Sequence, residues 1–297
     1  HWMQQERPQP GKDKSFSWSK FGSESCGGQL NPKFATHYGH FLAEYVRGLK
    51  VVHGLDLRAV SIQNELEFYE PYDSCIYTPQ QFADTLKAVG RVFKAKGLDT
   101  LLIGPEDMTK APDRAIKHVI AAMKDPETAG YLGPICAHGY ADGITTSLEA
   151  GDAARFWDLM QQHAPGREYW MTETGGGYGA WEPWERDMEQ GKKKGQKVTH
   201  PGALASLGSM LHNAFTHGNA SLWTNWQFLT ESEDAQHALV HVTMESITPT
   251  KKFYIMKHYS RFIPAGSRRI AAGPDAQEEV TVSAYTHEEQ QVLTIIL

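Results

Sequence analysis

Five times along this chain a short apolar run of strand character gives way to an amphipathic helical stretch, and that strict alternation narrows the possible folds more than any other feature. The runs fall at 57–63, 100–103, 134–137, 168–172 and 221–226. Helical stretches follow them at 78–96, 112–123, 152–163, 201–217 and 251–262, and one more precedes them at 32–53. Helices interleaved with strands predict a parallel sheet with helices packed outside it. Three units separate Glu65 from Glu173. Each is about 36 residues long, the spacing expected when ~250 residues are shared among the eight units of a (β/α)8 barrel. The tail departs from the alternation. Segments 280–285 and 291–297 flank Thr286-His287-Glu288-Glu289 and predict an antiparallel hairpin, the start of a β-domain. The expected layout is an α/β TIM-type barrel portion over 1–264 and a partial β-sandwich over 265–297.

Two of the strand runs end abruptly in an acid: Val60-Ser61-Ile62-Gln63-Asn64-Glu65 and Glu168-Tyr169-Trp170-Met171-Thr172-Glu173-Thr174. A strand core running straight into a carboxylate puts that acid at the strand's C-terminal end, where barrel enzymes keep their chemistry. Two such acids facing one cleft are what glycosidic bond cleavage requires.

Composition excludes several other classes. With 297 residues and 40% apolar content the chain can bury a sizeable core. A formal net charge of -6 argues against nucleic acid or an anionic membrane as partner. No stretch approaches the ~20 apolar residues of a membrane span. Eight Trp, twelve Tyr and twelve Phe suit a sugar-binding cleft as well as a core. Cys26, Cys75 and Cys136 have no close pairing, so no zinc site is expected. Cys136 lies in an apolar run and reads as a buried thiol; a Cys26–Cys75 disulfide is left open. The chain opens at His1-Trp2-Met3 in a polar loop, so a longer native protein is expected.

The ordered set Ser61-Ile62-Gln63-Asn64-Glu65, His138-Gly139-Tyr140 and Trp170-Met171-Thr172-Glu173 resembles glycoside hydrolase family 30, a family of clan A barrels. The resemblance extends to Gly27-Gly28-Gln29-Leu30-Asn31-Pro32, to Phe253-Tyr254, and to His258-Tyr259-Ser260-Arg261-Phe262-Ile263-Pro264-Ala265-Gly266. It implies that strands four to eight of the barrel are present. The first three strands and most of the side β-domain would then be supplied by the rest of the native chain. An open arc of strands would otherwise leave a raw edge.

The resemblance implies Glu65 as general acid/base, Glu173 as nucleophile and Asn64 as the residue that hydrogen-bonds the sugar 2-hydroxyl. His138 and Tyr140 would line the site and orient the nucleophile. Of Trp223 and Trp226, one is expected as a floor under the sugar and the other as barrel core. Trp181 and Trp184, in a long loop that also carries Lys192-Lys193-Lys194, are candidates for a neighbouring sugar subsite. The family carries proline after the acid/base, where this chain has Leu66. No cofactor and no metal is expected. Glu106-Asp107 also end a strand, however, and with Glu65 they could be read as ligands of a metal-dependent barrel enzyme.

The expected activity is retaining hydrolysis of β-glycosidic bonds in an oligo- or polysaccharide, in a secreted or extracytoplasmic setting. The run Thr230-Glu231-Ser232-Glu233-Asp234 is acidic and would repel a carboxylated branch, so a neutral β-glycan is expected. Exo action on small glycosides or glycolipids, and a non-catalytic sugar-binding barrel, are the competing readings.

Overall fold

A computed structural model describes residues 28–68, 74–109, 113–139, 150–175, 207–231, 238–273 and 281–297. The chain divides into two compact units, His1–His138 with Asp158–Trp170, and Gly139–Trp157 with Met171–Leu297.

In the first unit a 3-10 turn, Pro32–Phe34, is capped by the Asn31 side chain and leads into α1 (Ala35–His53). Gly54 closes α1 in the left-handed region at φ 67, with its amide bonded to Lys50 O and that of Leu55 to Leu49 O. This is an αL end, which satisfies carbonyls the helix would otherwise leave open. After β1 (Ala59–Ser61), α2 (Pro79–Ala95) begins in a capping box: Thr78 Oγ accepts from Gln81 N, and the Gln81 side chain accepts from Thr78 N. The buried face of α2 carries Phe82, Leu86, Val89 and Phe93, each worth about 1.5–3 kcal/mol when removed from water. β2 (Leu101–Met108), α3 (Arg114–Met123), α4 (Pro126–Tyr131) and β3 (Leu132–His138) follow.

β1 pairs with β2 and β2 with β3, all parallel, with Ser61 opposite Ile103 and Met108 opposite His138. Ile135 N then reaches Glu168 O at 2.9 Å, which brings in β4 (Tyr169–Glu173) beside β3. Parallel pairing puts the C-terminal ends of β1, β2 and β3 along one rim of the sheet. Among the described residues β1 has one strand neighbour, β2, and α1 exposes Phe41, Tyr45, Val51 and Val52.

The second unit takes the closing residues of β4 and the start of α5 (Ala150–His163). α6 (Leu207–His212) passes into a π-helical turn, Asn213–His217. β5 (Leu222–Trp223) is followed by the bond from Thr224 N to Met171 O at 2.9 Å, beside β4. β6 (Leu229–Thr230), β7 (Val240–Val242) and β8 (Ile247–Pro249) form a small mixed sheet ahead of α7 (Lys251–Ser260). β9 (Arg268–Ile270), β10 (Ser283–His287) and β11 (Val292–Ile296) form an antiparallel sheet. Leu207, Leu211, Leu239, Val240, Ile255, Tyr259, Tyr285 and Ile296 make one core that joins α6, α7 and the tail strands.

The five strand-then-helix units and the tail hairpin are present as expected, with differences that have local causes. The strand expected to stop at 103, before Gly104-Pro105, runs on to Met108. Register shifts on both sides of Pro105 let the sheet absorb a residue that cannot donate to it. α4 falls outside the expected helices, although Asp125 and Pro126 supply an N-cap and first-turn proline. β6 to β8 are two or three residues long, too short for alternation to register. The expected helix at 201–217 is described only from Leu207. Among the described residues no helix is long and apolar enough to cross a membrane.

Candidate active site

In the first unit β1 ends at Ser61, and the chain runs on through buried Ile62 to Asn64, which is exposed, and Glu65, which is 7% exposed. Glu65 adopts φ 45 and Glu106, near the end of β2, adopts φ 58. Left-handed backbone at a non-glycine residue costs on the order of 1–3 kcal/mol and gathers at functional sites. The two residues are tied together, since the Glu65 amide donates to Glu106 O at 2.7 Å.

His138 closes β3 on the same rim and is 1% exposed. Its Nδ1 lies 2.8 Å from Glu65 Oε1 and its Nε2 lies 3.5 Å from Glu106 Oε2. A buried imidazole thus stands between two buried carboxyls. Leu66, where the family has proline, is fully buried and accepts from Tyr77 N at 2.8 Å, so the turn after the acid is built without the proline.

Asp107 turns the other way. It is fully buried and accepts from the amides of Met108 at 2.7 Å and Glu67 at 3.0 Å. Burial pushes its carboxyl above the usual range. With Glu67 and His118 it forms a group whose ligand atoms lie within 4.8 Å of one another. Protein groups already engage those atoms: Lys117 Nζ is 2.7 Å from Glu67, and His118 Nδ1, 2.8 Å from Arg114 O, must donate there. Glu106 and Asp107, read from sequence as one candidate metal pair with Glu65, therefore face different partners.

Cys136 is fully buried, and burial together with the charge of Glu106 pushes its thiol well up, as expected of an inert core cysteine. Cys26, the possible partner of Cys75, lies outside the described residues.

In the second unit Glu173 closes β4 and is half-buried. Its carbonyl accepts from Gly139 N at 2.9 Å. A side chain at Gly139 would come within 2.9 Å of Thr174 Cβ and 2.8 Å of Met171 Sδ, so only glycine fits between these groups. Thr224 Oγ1 donates to Thr172 O, and Trp226 N to Thr174 O at 2.9 Å, so the segment after β5 is fastened to the end of β4. Trp223 packs against the unit's core, whereas Trp226 is 46% exposed. Of the two tryptophans, Trp226 is the more exposed. Tyr140, Trp181 and Trp184 lie outside the described residues, as do Ser232 to Asp234. Sequence reading singled out Glu106 only for metal chemistry; its link to His138 depends on which strands are neighbours.

No family model matches the chain. It is 22% identical over 288 residues to glucuronoxylanase XynC of Bacillus subtilis (strain 168), covering 97% of this chain and 58% of that protein. It is 21% identical over 299 residues to lysosomal acid glucosylceramidase of Mus musculus, covering 93% and 52%. The solved structure of a glycoside hydrolase family 30 subfamily 8 xylanase, Xyn30A, from Clostridium acetobutylicum superposes with a TM-score of 0.62 at 26% identity, over 88% of this chain and 55% of that one.

The parallel sheet is thus part of a (β/α)8 barrel, the fold shared with that family 30 xylanase structure. More narrowly, the chain is similar to members of glycoside hydrolase family 30. It spans just over half the length of these relatives.

Proposed function

We propose that this chain carries the catalytic carboxylates of a retaining β-glycosidase, with Glu173 as nucleophile and Glu65 as general acid/base. The observation that carries the reading is the buried Glu65 at a strained strand end with an imidazole 2.8 Å from its carboxyl. A solvated ion pair would need neither the strain nor the burial. In the first step Glu65 delivers its proton to the departing glycosidic oxygen as Glu173 attacks the anomeric carbon. In the second, Glu65 removes a proton from water, which displaces Glu173 from the sugar. The reading requires the two carboxyls about 5–5.5 Å apart. Asn64 is the 2-hydroxyl contact, Trp226 the ring platform, and His138, Tyr140, Trp181 and Trp223 complete the site.

The substrate we favour is a neutral β-glycan. Relatives named glucuronoxylanase and glucosylceramidase act on different glycoconjugates, and the acidic run from Glu231 to Asp234 disfavours a carboxylated branch. Further strands of the same barrel would cover the open side of β1, with 265–297 as the start of a side β-domain and secretion as the setting.

A 2-fluoro glycoside that traps the glycosyl-enzyme tests the assignment. Mass spectrometry should find the label on Glu173, and Glu173→Gln should be folded, unlabelled and inactive. A label on another residue, or undiminished turnover by that variant, would end it.

A further inference from the structure

Asp107 is a fully buried carboxyl near the end of β2 and has no place in the two-carboxylate scheme. Both of its oxygens go to main-chain amides: Oδ1 accepts from Met108 N at 2.7 Å and Oδ2 from Glu67 N at 3.0 Å. The second bond spans 40 positions and lands in the turn that carries Glu65. We infer that Asp107 is a positioning residue, a clamp on the acid/base turn that sets where the Glu65 carboxyl stands. This rests on the reading of Glu65 as the acid/base.

The turn needs a clamp because Glu65 is left-handed, at φ 45. A non-glycine residue keeps that conformation only where its surroundings over-determine it. Phe68 N closes the turn on Glu65 O at 3.0 Å, and three further bonds tie it to the rest of the unit, one at each residue from 65 to 67. Glu65 N donates to Glu106 O at 2.7 Å, Tyr77 N donates to Leu66 O at 2.8 Å, and Glu67 N donates to Asp107 Oδ2. Two of these three come from consecutive residues of β2, so the turn is fixed to the neighbouring strand on both sides of Leu66.

The side chain at 107 suits this task and no other evident one. Two N–H donors converge on it, and a carboxyl offers an acceptor oxygen to each. Burial works against a charge there, pushing the Asp107 carboxyl above the usual range. If filling the core were the only need, an apolar residue would serve, as Leu102, Ile103 and Met108 do in the same strand. Lys117 Nζ also reaches the turn, 2.7 Å from the Glu67 carboxyl, but that pair is partly exposed and holds the side chain, not the main chain.

The test compares Asp107→Leu, Asp107→Asn and Lys117→Met with the unaltered full chain. Asp107→Leu removes both acceptors at similar size. It should lower kcat/KM about 10- to 100-fold on glycosides with poor leaving groups, the scale of a misplaced catalytic group. Its kcat/KM on a dinitrophenyl glycoside, which departs without a proton, should stay within about threefold. On that substrate kcat and KM should fall together, because Glu65 is also the base of the second step and the glycosyl-enzyme accumulates. Asp107→Asn has one acceptor oxygen for two amides and should fall between Asp107→Leu and the unaltered chain. Lys117→Met, which removes the ion pair and leaves the clamp, should stay within about threefold on both substrates. Hydrogen exchange reads the clamp without turnover: the Glu67 amide should be protected in the unaltered chain and lose about tenfold or more of that protection in Asp107→Leu.

An unchanged leaving-group dependence in a folded Asp107→Leu chain would overturn the inference. So would an equal loss on both substrates with KM unmoved, which is what a merely structural role predicts, or the same selective loss in Lys117→Met. A Glu67 amide that exchanges freely in the unaltered chain would overturn it even if Asp107→Leu does not fold. Glu65→Gln separates the two levels. If that variant keeps full activity, the acid/base reading fails and takes the inference with it; if it is impaired while a folded Asp107→Leu is not, only the inference fails.

Discussion

The Glu65 amide donates to the Glu106 carbonyl oxygen across 2.7 Å, so one backbone hydrogen bond holds together two acidic residues from the ends of neighbouring strands. Each has a left-handed backbone, and each aims its carboxyl at the same imidazole. The acid/base candidate is therefore held from its main chain and its side chain at once. This is the rigidity that proton transfer in a fixed geometry needs.

Glu65→Gln should remove the transferable proton while keeping the shape. The expected result is a loss of about 10²–10⁴ in kcat/KM on unactivated glycosides, with a much smaller loss on dinitrophenyl glycosides. Steady-state kinetics over a leaving-group series reads this directly. A uniform loss across the series would move the acid role elsewhere.

Helix packing gives a stability prediction with two signs. A Cβ at Gly90 of α2 would fall 2.2 Å from Tyr131 Cγ of α4, while one at Gly48 of α1 meets nothing within 4 Å. Gly48→Ala should stabilise by about 0.5–1 kcal/mol through helix propensity. Gly90→Ala gains the same propensity but overpacks the α2–α4 contact, at a cost of about 1–3 kcal/mol, and should be destabilising. Urea denaturation of the two variants should move the midpoints in opposite directions.

Acid should loosen α2 from α4. Arg91 holds Glu127 in a bidentate pair, both bonds 2.7 Å, with Lys87 Nζ 3.2 Å away, and Arg91 above all draws the Glu127 carboxyl down to about 2. A folded-state value below the unfolded value near 4.3 means stability that is present above pH ~4.3 and lost as pH falls toward 2. Arg91→Met should flatten that part of the melting-temperature profile. The change will be small, because the pair is exposed. An unaltered slope between pH 4.5 and 2 would place the acid sensitivity in other groups.

Substrate charge offers a fourth check. Glu231 is exposed beside β6 and opens the acidic run, so an undecorated β-glycan should be cut at least as fast as one bearing glucuronate branches. Rates on a matched pair of xylans measure this, and a strong preference for the glucuronate-bearing one would reverse the assignment.

Much of this molecule is legible without coordinates because the responsible signals are local. Thr78, Pro79 and Gln81 announce the start of α2, Gly54 and Gly97 stop helices, and apolar runs ending at Glu65 and Glu173 mark strand ends. Each involves residues within a turn or a strand of one another, where propensity and capping act. Glu106 carries the same strand-end mark, yet its neighbour across the sheet cannot be read from it. Its partner, His138, lies 32 positions away on the next strand, and Asp107, adjacent in sequence, turned to backbone amides instead. The short strands β6 to β8 escaped notice for a related reason: two or three residues show no period, and only pairing defines them.

The amino-acid sequence by itself determined the order of strands and helices, their caps, and which strands end in acids, since these are set by near neighbours along the chain. Tertiary structure alone decided that His138 meets Glu65 across 73 positions, that Glu106 stands behind it, and that Trp223 packs against a core while Trp226 is exposed. Those contacts follow from strand order and register, which bring distant residues onto one rim of a parallel sheet.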